Sequence, residues 1–263
     1  MKKIGEGRNA EIFALDDHLI AKVFHEHIPV FLIDEENKVS KKVQELGLKV
    51  PKVFDKKEIL GREAIIYERV NGQTVLADLI QHPEKAAEMG KIMAQLHYPI
   101  HLESGAGFPS LKENLYRQIK GTELKEEEKE RIIDYIDQRP DRFQLCHGDF
   151  HPDNILVNSD GATVIDWTTA VCGNPLADAA RTSMILKYAA LPEELPEPIK
   201  TAFEQLRGVL LQNYLDTYLE LSGSRLEDIM EWEIPVMAAR LSEGVPDEEK
   251  NRILEHIRTE KRG

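Results

Sequence analysis

The chain reads CHGDFHPDNIL from Cys146 to Leu156, and the short sequence IDW follows at positions 165–167. Asp149 stands five positions before Asn154, and Asp166 stands twelve positions after Asn154. Two carboxylates and one carboxamide therefore occur at short separations in the chain. This set of oxygen-bearing side chains is the first indication of a functional site.

The segments around these side chains predict strands and a hairpin. Phe143 to Cys146 is short and apolar, and Ile155 to Val157 and Thr163 to Ile165 are two further runs of this kind. The residues from Asn158 to Gly161 predict a hairpin turn between the last two strands, with Asp-Gly as the turn dipeptide. The polar side chains are therefore expected at strand ends.

Hairpin pairing is expected to bring Asn154 and Asp166 to the same edge, while Asp149 shares a loop with Asn154. Phosphoryl transfer needs such a set, because one carboxylate accepts the proton of the attacking hydroxyl while an Asn and an Asp hold Mg²⁺. Magnesium prefers oxygen ligands and keeps several waters, so one or two protein oxygens per ion suffice. The spacing therefore favours a phosphotransfer site.

Two other interpretations of the same loop stay open. An acidic loop is often only a solvated turn. A zinc site is the second alternative, because His147, Asp149 and His151 alternate and would share one face of an extended strand. Gly148 and Pro152 favour a loop over a regular strand at this place.

The string resembles the motif of the aminoglycoside phosphotransferase and choline kinase-like family. This resemblance implies that Asp149 is the catalytic base, that Asn154 and Asp166 are metal ligands, and that His147 supports the loop. His151 lies at a position that is commonly occupied in the family. The implied fold is α+β and two-lobed, like that of protein kinases. A small antiparallel N-terminal sheet with one helix forms the nucleotide-binding lobe, expected at residues 1–70. A mostly helical lobe at 71–263 carries the catalytic loop and the acceptor site.

The N-terminal segment fits a nucleotide-binding lobe. A glycine-containing turn around Gly7 precedes an apolar strand, and glycines let backbone amides approach phosphates closely. Lys22 lies within a strand-like apolar run, where an unpaired ammonium group is unfavourable. The resemblance implies that Lys22 contacts the nucleotide phosphates and pairs with a helix glutamate. We predict Glu36 as that partner because Glu36 follows one helical face with Val39, Ser40 and Val43. Glu35 is the alternative.

Two further positions follow from the resemblance. The main chain around Glu68 to Val70, at the end of a predicted strand, is expected to hydrogen-bond the adenine. Asp178 is expected to be partly buried and to brace the catalytic loop without being catalytic.

The C-terminal part of the sequence predicts helices at residues 125–138, 176–190, 225–242 and 248–260. Apolar residues at helical spacing predict two core faces, from Ala86 to Leu96 and from Phe203 to Leu221. The proline-rich stretch from Leu191 to Pro198 predicts a loop between helices, acting as a spacer or as a flap on the substrate side.

The charge is distributed unevenly along the chain. The formal net charge is −13. Residues 1–70 hold 13 basic and 13 acidic side chains, whereas the remainder holds 21 basic and 34 acidic ones. This argues against binding to a nucleic-acid backbone, which requires a basic face. An acidic C-terminal part is compatible with a cationic acceptor and equally with a solvated acidic surface.

Several features predict a cytoplasmic protein without a membrane partner. The two cysteines, Cys146 and Cys172, do not require a disulfide. The N-terminus is charged and lacks the apolar core of a signal peptide, and no apolar run approaches the length of a bilayer span.

The expected activity is transfer of the γ-phosphate of ATP or GTP, with Mg²⁺, to a hydroxyl group of a small molecule. Acceptors of the aminoglycoside, sugar or amino-alcohol type are compatible with the motifs. The alternative is a catalytically weak nucleotide-binding or regulatory protein that retains a kinase-like fold. The combination of Lys22 with Asp149, Asn154 and Asp166 favours the enzyme.

Overall fold

The structure is a computed structural model, and it describes residues 1–190 and 197–259. The contacts divide the chain into two compact units. We call Met1–Ala77 with Pro152–Thr169 the sheet unit, and Asp78–His151 with Ala170–Gly263 the helical unit. The functional boundary predicted at residue 70 stays a prediction. By contacts, the hairpin that carries Asn154 and Asp166 groups with the N-terminal segment.

A five-stranded antiparallel sheet and one helix dominate the sheet unit. The strands lie in the order β1-β2-β3-β5-β4. Their bounds are β1 Lys2–Glu6, β2 Ala10–Ala14, β3 Leu19–Phe24, β4 Val53–Ile59 and β5 Arg62–Glu68, and helix α1 spans Val30–Glu45. Side chains alternate across a strand. Phe24 and Ile65 therefore pack in one cluster with Ile33 of α1, while Ala21 and Val23 pack on the opposite face.

The polar hairpin forms a second, three-stranded sheet in this unit. It consists of β6 Gln73–Thr74, β8 Ile155–Asn158 and β9 Gly161–Val164. Asn158 pairs with Gly161, so the turn residues are Ser159 and Asp160, and the predicted Asp-Gly turn dipeptide is wrong by one position. The register is set by the pair Ile155 and Val164, whose buried side chains must face the core together.

The helical unit contains two short strands and most of the helices. The strands β7 Gln144–Cys146 and β10 Val171–Gly173 pair antiparallel. The helices are α2 Val75–Gln81, which begins in the sheet unit, α3 Ala86–Ile100, α4 Leu111–Lys120, α5 Glu126–Asp137, α6 Pro175–Tyr188, α7 Glu197–Ser222, α8 Leu226–Met230, α9 Glu233–Arg240 and α10 Asp247–Thr259.

The single helix predicted at 225–242 is wrong, because α8 and α9 are separate. Pro235 falls in the first turn of α9, where its missing N–H leaves no hydrogen bond broken. A continuous helix through this position would lose one backbone hydrogen bond, and the proline ring would clash with the preceding turn. The helix is therefore interrupted before Pro235. The other three predicted helices correspond to α5, α6 and α10 within two residues at the ends that the structure describes.

Helices α3 and α7 pack along one another in the core of the helical unit. Gly90 of α3 makes this close approach possible, because a Cβ atom there would lie 2.5 Å from the carbonyl oxygen of Leu210. The buried face of α7 runs through Leu210, Tyr214 and Tyr218, whereas Leu221, predicted as part of the core face, is 39% exposed.

Residues 191–196 of the predicted loop lie outside the described residues, and Glu197 begins α7. Cys146 and Cys172 are not joined in a disulfide. Among the helices within residues 1–190 and 197–259, none is both long and apolar enough to span a membrane.

Candidate active site

Lys22 lies at the centre of an ion-pair cluster in the sheet unit. Its position on β3 places it on the face covered by α1, and its Nζ is 2.7 Å from Oε1 of Glu36. The same Nζ is 3.3 Å from Oδ1 of Asp166. The predicted pairing of Lys22 with Glu36 is therefore present. Glu35 is exposed and pairs with Lys38 instead.

Charge and hydrogen bonding fix the state of this cluster. Burial lowers the pKa of Lys22, but the carboxylates of Asp166 and Glu36 outweigh burial, so the pKa lies above its usual value. Tyr67 donates a hydrogen bond to Glu36 Oε1 at 3.2 Å, which holds the glutamate in place. Lys22 is therefore a charged ammonium group held between two carboxylates.

Asp166 and Asn154 are adjacent in the sheet unit. The backbone N–H of Ile165 donates to the carbonyl oxygen of Asn154 at 2.9 Å, which extends the β8–β9 pairing to this edge. Asp166 has a φ of 59°, a left-handed conformation that aspartate tolerates better than most residues. Thr168 Oγ1 donates to Asp166 Oδ1 at 2.7 Å. The strained backbone is thus supported by surrounding contacts, as is common at functional sites.

The residues at this edge fit a magnesium ion in their chemistry. Asn154 offers an amide oxygen and Asp166 offers a carboxylate oxygen, which are the hard donors that Mg²⁺ prefers. The Asp166 side chain is 45% exposed, so it is accessible to a solvated ion. No sulfur or imidazole ligand is needed.

The catalytic-loop candidate lies in the helical unit and is held by Asp178. Asp178 Oδ2 accepts the backbone N–H of His147 at 2.6 Å, and Oδ1 accepts that of Gly148 at 2.9 Å. Gly148 has a φ of 79°, a conformation that favours glycine. These two hydrogen bonds fit the bracing role predicted for Asp178. The side chain is fully buried, whereas partial burial was predicted.

Asp149 projects from this loop into a cationic environment. His151 Nε2 lies 3.3 Å from its Oδ2, and Arg181 Nη2 lies 3.1 Å from its Oδ1. Burial alone would raise the pKa of Asp149, but the hydrogen bond from His151 and the charge of Arg181 hold it well below the usual range. Asp149 is therefore an ionised carboxylate with both oxygens oriented.

The arrangement does not support the zinc alternative. Within the described part of the chain, the His/Cys/Asp/Glu side chains whose ligand atoms converge are His97, His101 and Asp178. His147 instead uses its Nδ1 to accept the backbone N–H of Asp149 at 3.2 Å.

His97 and His101 were not identified from the sequence, and they complete the support of the loop. Both Nε2 atoms donate to Asp178 Oδ2, at 3.0 and 3.2 Å. Both Nδ1 atoms then accept a hydrogen bond from a tyrosine hydroxyl, Tyr214 at 2.8 Å and Tyr218 at 2.6 Å. The matching four-residue spacings of the two histidines and the two tyrosines were the only signal available in the sequence.

This buried network predicts a loss of stability in mild acid. Burial and the neighbouring His101 lower the pKa of His97 from 6.5 to about 3. Between these pH values the unfolded chain takes up a proton that the folded protein excludes. The free energy of unfolding should therefore fall below pH 6.5, by about 2 kcal/mol at pH 5 from this residue. Chemical denaturation at several pH values measures this slope.

Two variants make the assignment specific. His97→Gln should flatten the slope between pH 6.5 and 5, whereas replacing the exposed His18 by Gln should leave it unchanged. Asp178, whose pKa is also lowered, affects stability only in more acidic solution, below about pH 4. An unchanged slope in His97→Gln would contradict the proton exclusion assigned to His97.

The remaining predicted nucleotide contacts are constrained by the sheet. Gly7 N–H donates to Ala10 O at 2.8 Å in the β1–β2 turn. A Cβ atom at Gly7 would meet only Ala10 O, at 3.7 Å, so the backbone does not require glycine there. The phosphate contact at Gly7 stays a prediction.

The adenine contact predicted at Glu68 to Val70 also stays a prediction, but the groups available for it are fewer. The N–H of Glu68 donates to Lys52 O and that of Arg69 to His18 O, both at 2.7 Å. The predicted hydrogen bonds to the adenine would therefore use other main-chain groups of this stretch, such as the carbonyl of Glu68 and the amide of Val70.

Comparison with known proteins gives a family and a fold. The model of the phosphotransferase enzyme family matches residues 1–221. A search of the curated proteins finds no match. Solved structures of the same fold include a thermostable mutant of aminoglycoside phosphotransferase APH(4)-Ia with ADP and hygromycin B. It has a TM-score of 0.65 and 15% identity, and the match covers 99% of this chain and 94% of that one.

Two further structures are similar over most of their length. The amicoumacin kinase hAmiN, solved with AMP-PNP and Ca²⁺, has a TM-score of 0.62 and 14% identity, covering 98% of this chain and 86% of that one. The choline kinase from Cryptosporidium parvum has a TM-score of 0.57 and 14% identity, covering 99% and 88%. At these identities the likeness shows the fold alone, and it confirms the predicted α+β kinase-like fold class.

Proposed function

Because the chain belongs to the phosphotransferase enzyme family, we propose that it transfers the γ-phosphate of ATP or GTP to a hydroxyl group of a small molecule. The observation that carries this proposal is the Lys22 cluster, in which one partly buried ammonium group contacts both Glu36 and Asp166. Such a cation between a helix glutamate and a candidate metal ligand is the arrangement that nucleotide phosphates require.

On the donor side, each candidate residue of the sheet unit has a separate role. Lys22 binds the phosphates, and Glu36 fixes its direction. Asn154 and Asp166 would hold Mg²⁺, which neutralises developing charge on the phosphate oxygens when it is bound. Gly7 and the main chain around Glu68 to Val70 are proposed to contact the phosphates and the adenine.

On the acceptor side, Asp149 orients the hydroxyl and receives its proton. Its low pKa makes it a weak base, so the proton moves late, when the oxygen has begun to bond with phosphorus. This suits a largely dissociative transfer, in which positioning and charge stabilisation supply most of the acceleration. Asp178 and the two buried histidines keep the loop in place.

The acceptor class is proposed from the relatives in fold and from the distribution of charge. One relative in fold is a choline kinase and another is an aminoglycoside phosphotransferase with hygromycin B. The excess of acidic residues beyond position 70 is compatible with such cationic acceptors. Amino-alcohols, aminoglycosides and sugars are therefore the first candidates, in a resistance or a metabolic role.

A paired screen tests the proposal. The protein is incubated with Mg·ATP or Mg·GTP and with each member of a panel of hydroxylated amines and sugars, and release of the nucleoside diphosphate is measured. We expect release that depends on both the metal and one acceptor class. Tight nucleotide binding without acceptor-dependent release across the panel would instead support the regulatory alternative.

A further inference from the structure

Helix α6 places three side chains along the catalytic-loop candidate. Asp178 accepts the backbone amides of His147 and Gly148, and Thr182 donates to the carbonyl oxygen of Phe150 at 2.9 Å. Arg181 lies between these two on the helix. Residues three and four apart share a helical face, so the three side chains meet consecutive residues of the loop.

Arg181 contacts the one loop side chain that is proposed to do chemistry. Its Nη2 donates to Asp149 Oδ1 at 3.1 Å. We infer that Arg181 is a positioning residue: it holds Oδ1 and so fixes the rotation of the Asp149 carboxylate, which presents Oδ2, contacted by His151 at 3.3 Å, to the acceptor hydroxyl. This inference rests on the proposed function for the role of Asp149, but the contact itself does not.

The guanidinium is itself held from the opposite side. Glu243 accepts from Nη1 at 2.8 Å and from Nη2 at 3.1 Å, a two-point contact that only the planar guanidinium makes well. Arg240 binds Glu243 Oε2 at 2.7 Å and Glu249 Oε1 at 2.8 Å. Asp149, Arg181, Glu243, Arg240 and Glu249 thus form a row of alternating charges that ends on α10.

Burial gives this row its strength. The side chains of Arg181, Glu243 and Arg240 are 14%, 19% and 19% exposed, and that of Glu249 is 2% exposed. Removing one charge from such a row leaves its neighbours unpaired in a poorly solvated place. The Arg181 guanidinium is therefore held in one orientation, and its contact with Oδ1 orients the Asp149 carboxylate. The charged or titratable groups around Asp149 include His147, His151 and Arg181.

The decisive test uses Arg181→Met, Arg181→Lys and the control Lys187→Met. Lys187 lies on the same helix and pairs with Glu233 at 3.1 Å, away from the loop. The first readout needs no acceptor: NMR titration of labelled aspartate carboxyl carbons, with the Asp149 signal assigned by its absence in Asp149→Asn. We expect the pKa of Asp149 to rise in Arg181→Met and to stay low in Arg181→Lys and in the control.

The second readout is turnover with the acceptor found in the screen. Arg181→Met should lower kcat about a hundredfold with little change in the KM for nucleotide, and it should move the acid limb of the pH profile upward. Arg181→Lys should restore the acid limb but only part of kcat, because an ammonium group cannot hold two carboxylates in the same plane.

Each outcome has a distinct meaning. If Arg181→Met folds, as judged by circular dichroism, and Asp149 titrates as in the unmodified protein, the positioning role is wrong. If Arg181→Met does not fold, Arg181→Met combined with Glu243→Gln removes the unpaired carboxylate, and the same titration decides. An unmodified protein that phosphorylates no acceptor would overturn the proposed function, while the titration would still decide whether Arg181 holds Asp149.

Discussion

Asp149→Asn is expected to slow phosphoryl transfer by at least about a hundredfold while leaving Mg·ATP binding intact. The amide has nearly the same shape but cannot accept the proton of the acceptor hydroxyl, and it also loses its attraction to Arg181. A general base of this kind contributes about a hundredfold to ten-thousandfold, so we expect kcat to fall within that range. Single-turnover kinetics and calorimetry with Mg·ATP measure the two properties separately.

An aspartate on the other side of strand β7 provides a matched control. Asp141 is 66% exposed and pairs with Lys112 at 2.7 Å. Asp141→Asn should therefore retain turnover. Full activity in Asp149→Asn would remove Asp149 from the role of base, whereas loss of nucleotide binding in that variant would mean that it acts on the donor side.

Replacing Asp166 is expected to weaken metal-dependent nucleotide binding. Asp166 supplies the carboxylate proposed for Mg²⁺ and also contacts Lys22, so its loss affects both candidate phosphate-binding groups. Alanine at a φ of 59° would add backbone strain, so Asp166→Asn is the better variant beside Asp166→Ala. We expect both to lose at least tenfold in affinity for Mg·ATP, and less for ATP with a chelator.

The comparison with and without metal separates the two contributions. Asp160→Asn, in the turn of the same hairpin, serves as the control and should bind Mg·ATP as the unmodified protein does. Unchanged calorimetric affinity in Asp166→Asn would count against the metal assignment. Equal losses with and without Mg²⁺ would point to Lys22 alone as the affected group.

The sequence predicted those parts of the fold that depend on local patterns. The family resemblance implied that Lys22 pairs with a helix glutamate, and helical spacing selected Glu36, which lies beside it. The strands of the polar hairpin were predicted from short apolar runs. The exact turn was missed because register depends on which pair of side chains, here Ile155 and Val164, is buried together.

The supporting contacts could not be predicted because their partners are distant in the chain. His97 and Tyr214 are separated by 117 positions, and Arg181 and Glu243 by 62. Each residue alone is compatible with an ordinary core or surface position. Only the packing of α3, α6 and α7 brings them to the loop. The break between α8 and α9 was missed because the apolar pattern continues through it, while Pro235 disfavours a continuous helix.

In the proposed reaction a carbon-bound hydroxyl of a small molecule receives the γ-phosphate, and Asp149 is required for this step. The most direct measurement is mass spectrometry of the acceptor after incubation with Mg·ATP or Mg·GTP, using the unmodified protein and Asp149→Asn side by side. We predict an acceptor that gains one phosphoryl group with the unmodified protein and gains it at least about a hundredfold more slowly with the variant. Nucleotide hydrolysis without a phosphorylated acceptor, or equal product from both proteins, would rule out this reaction.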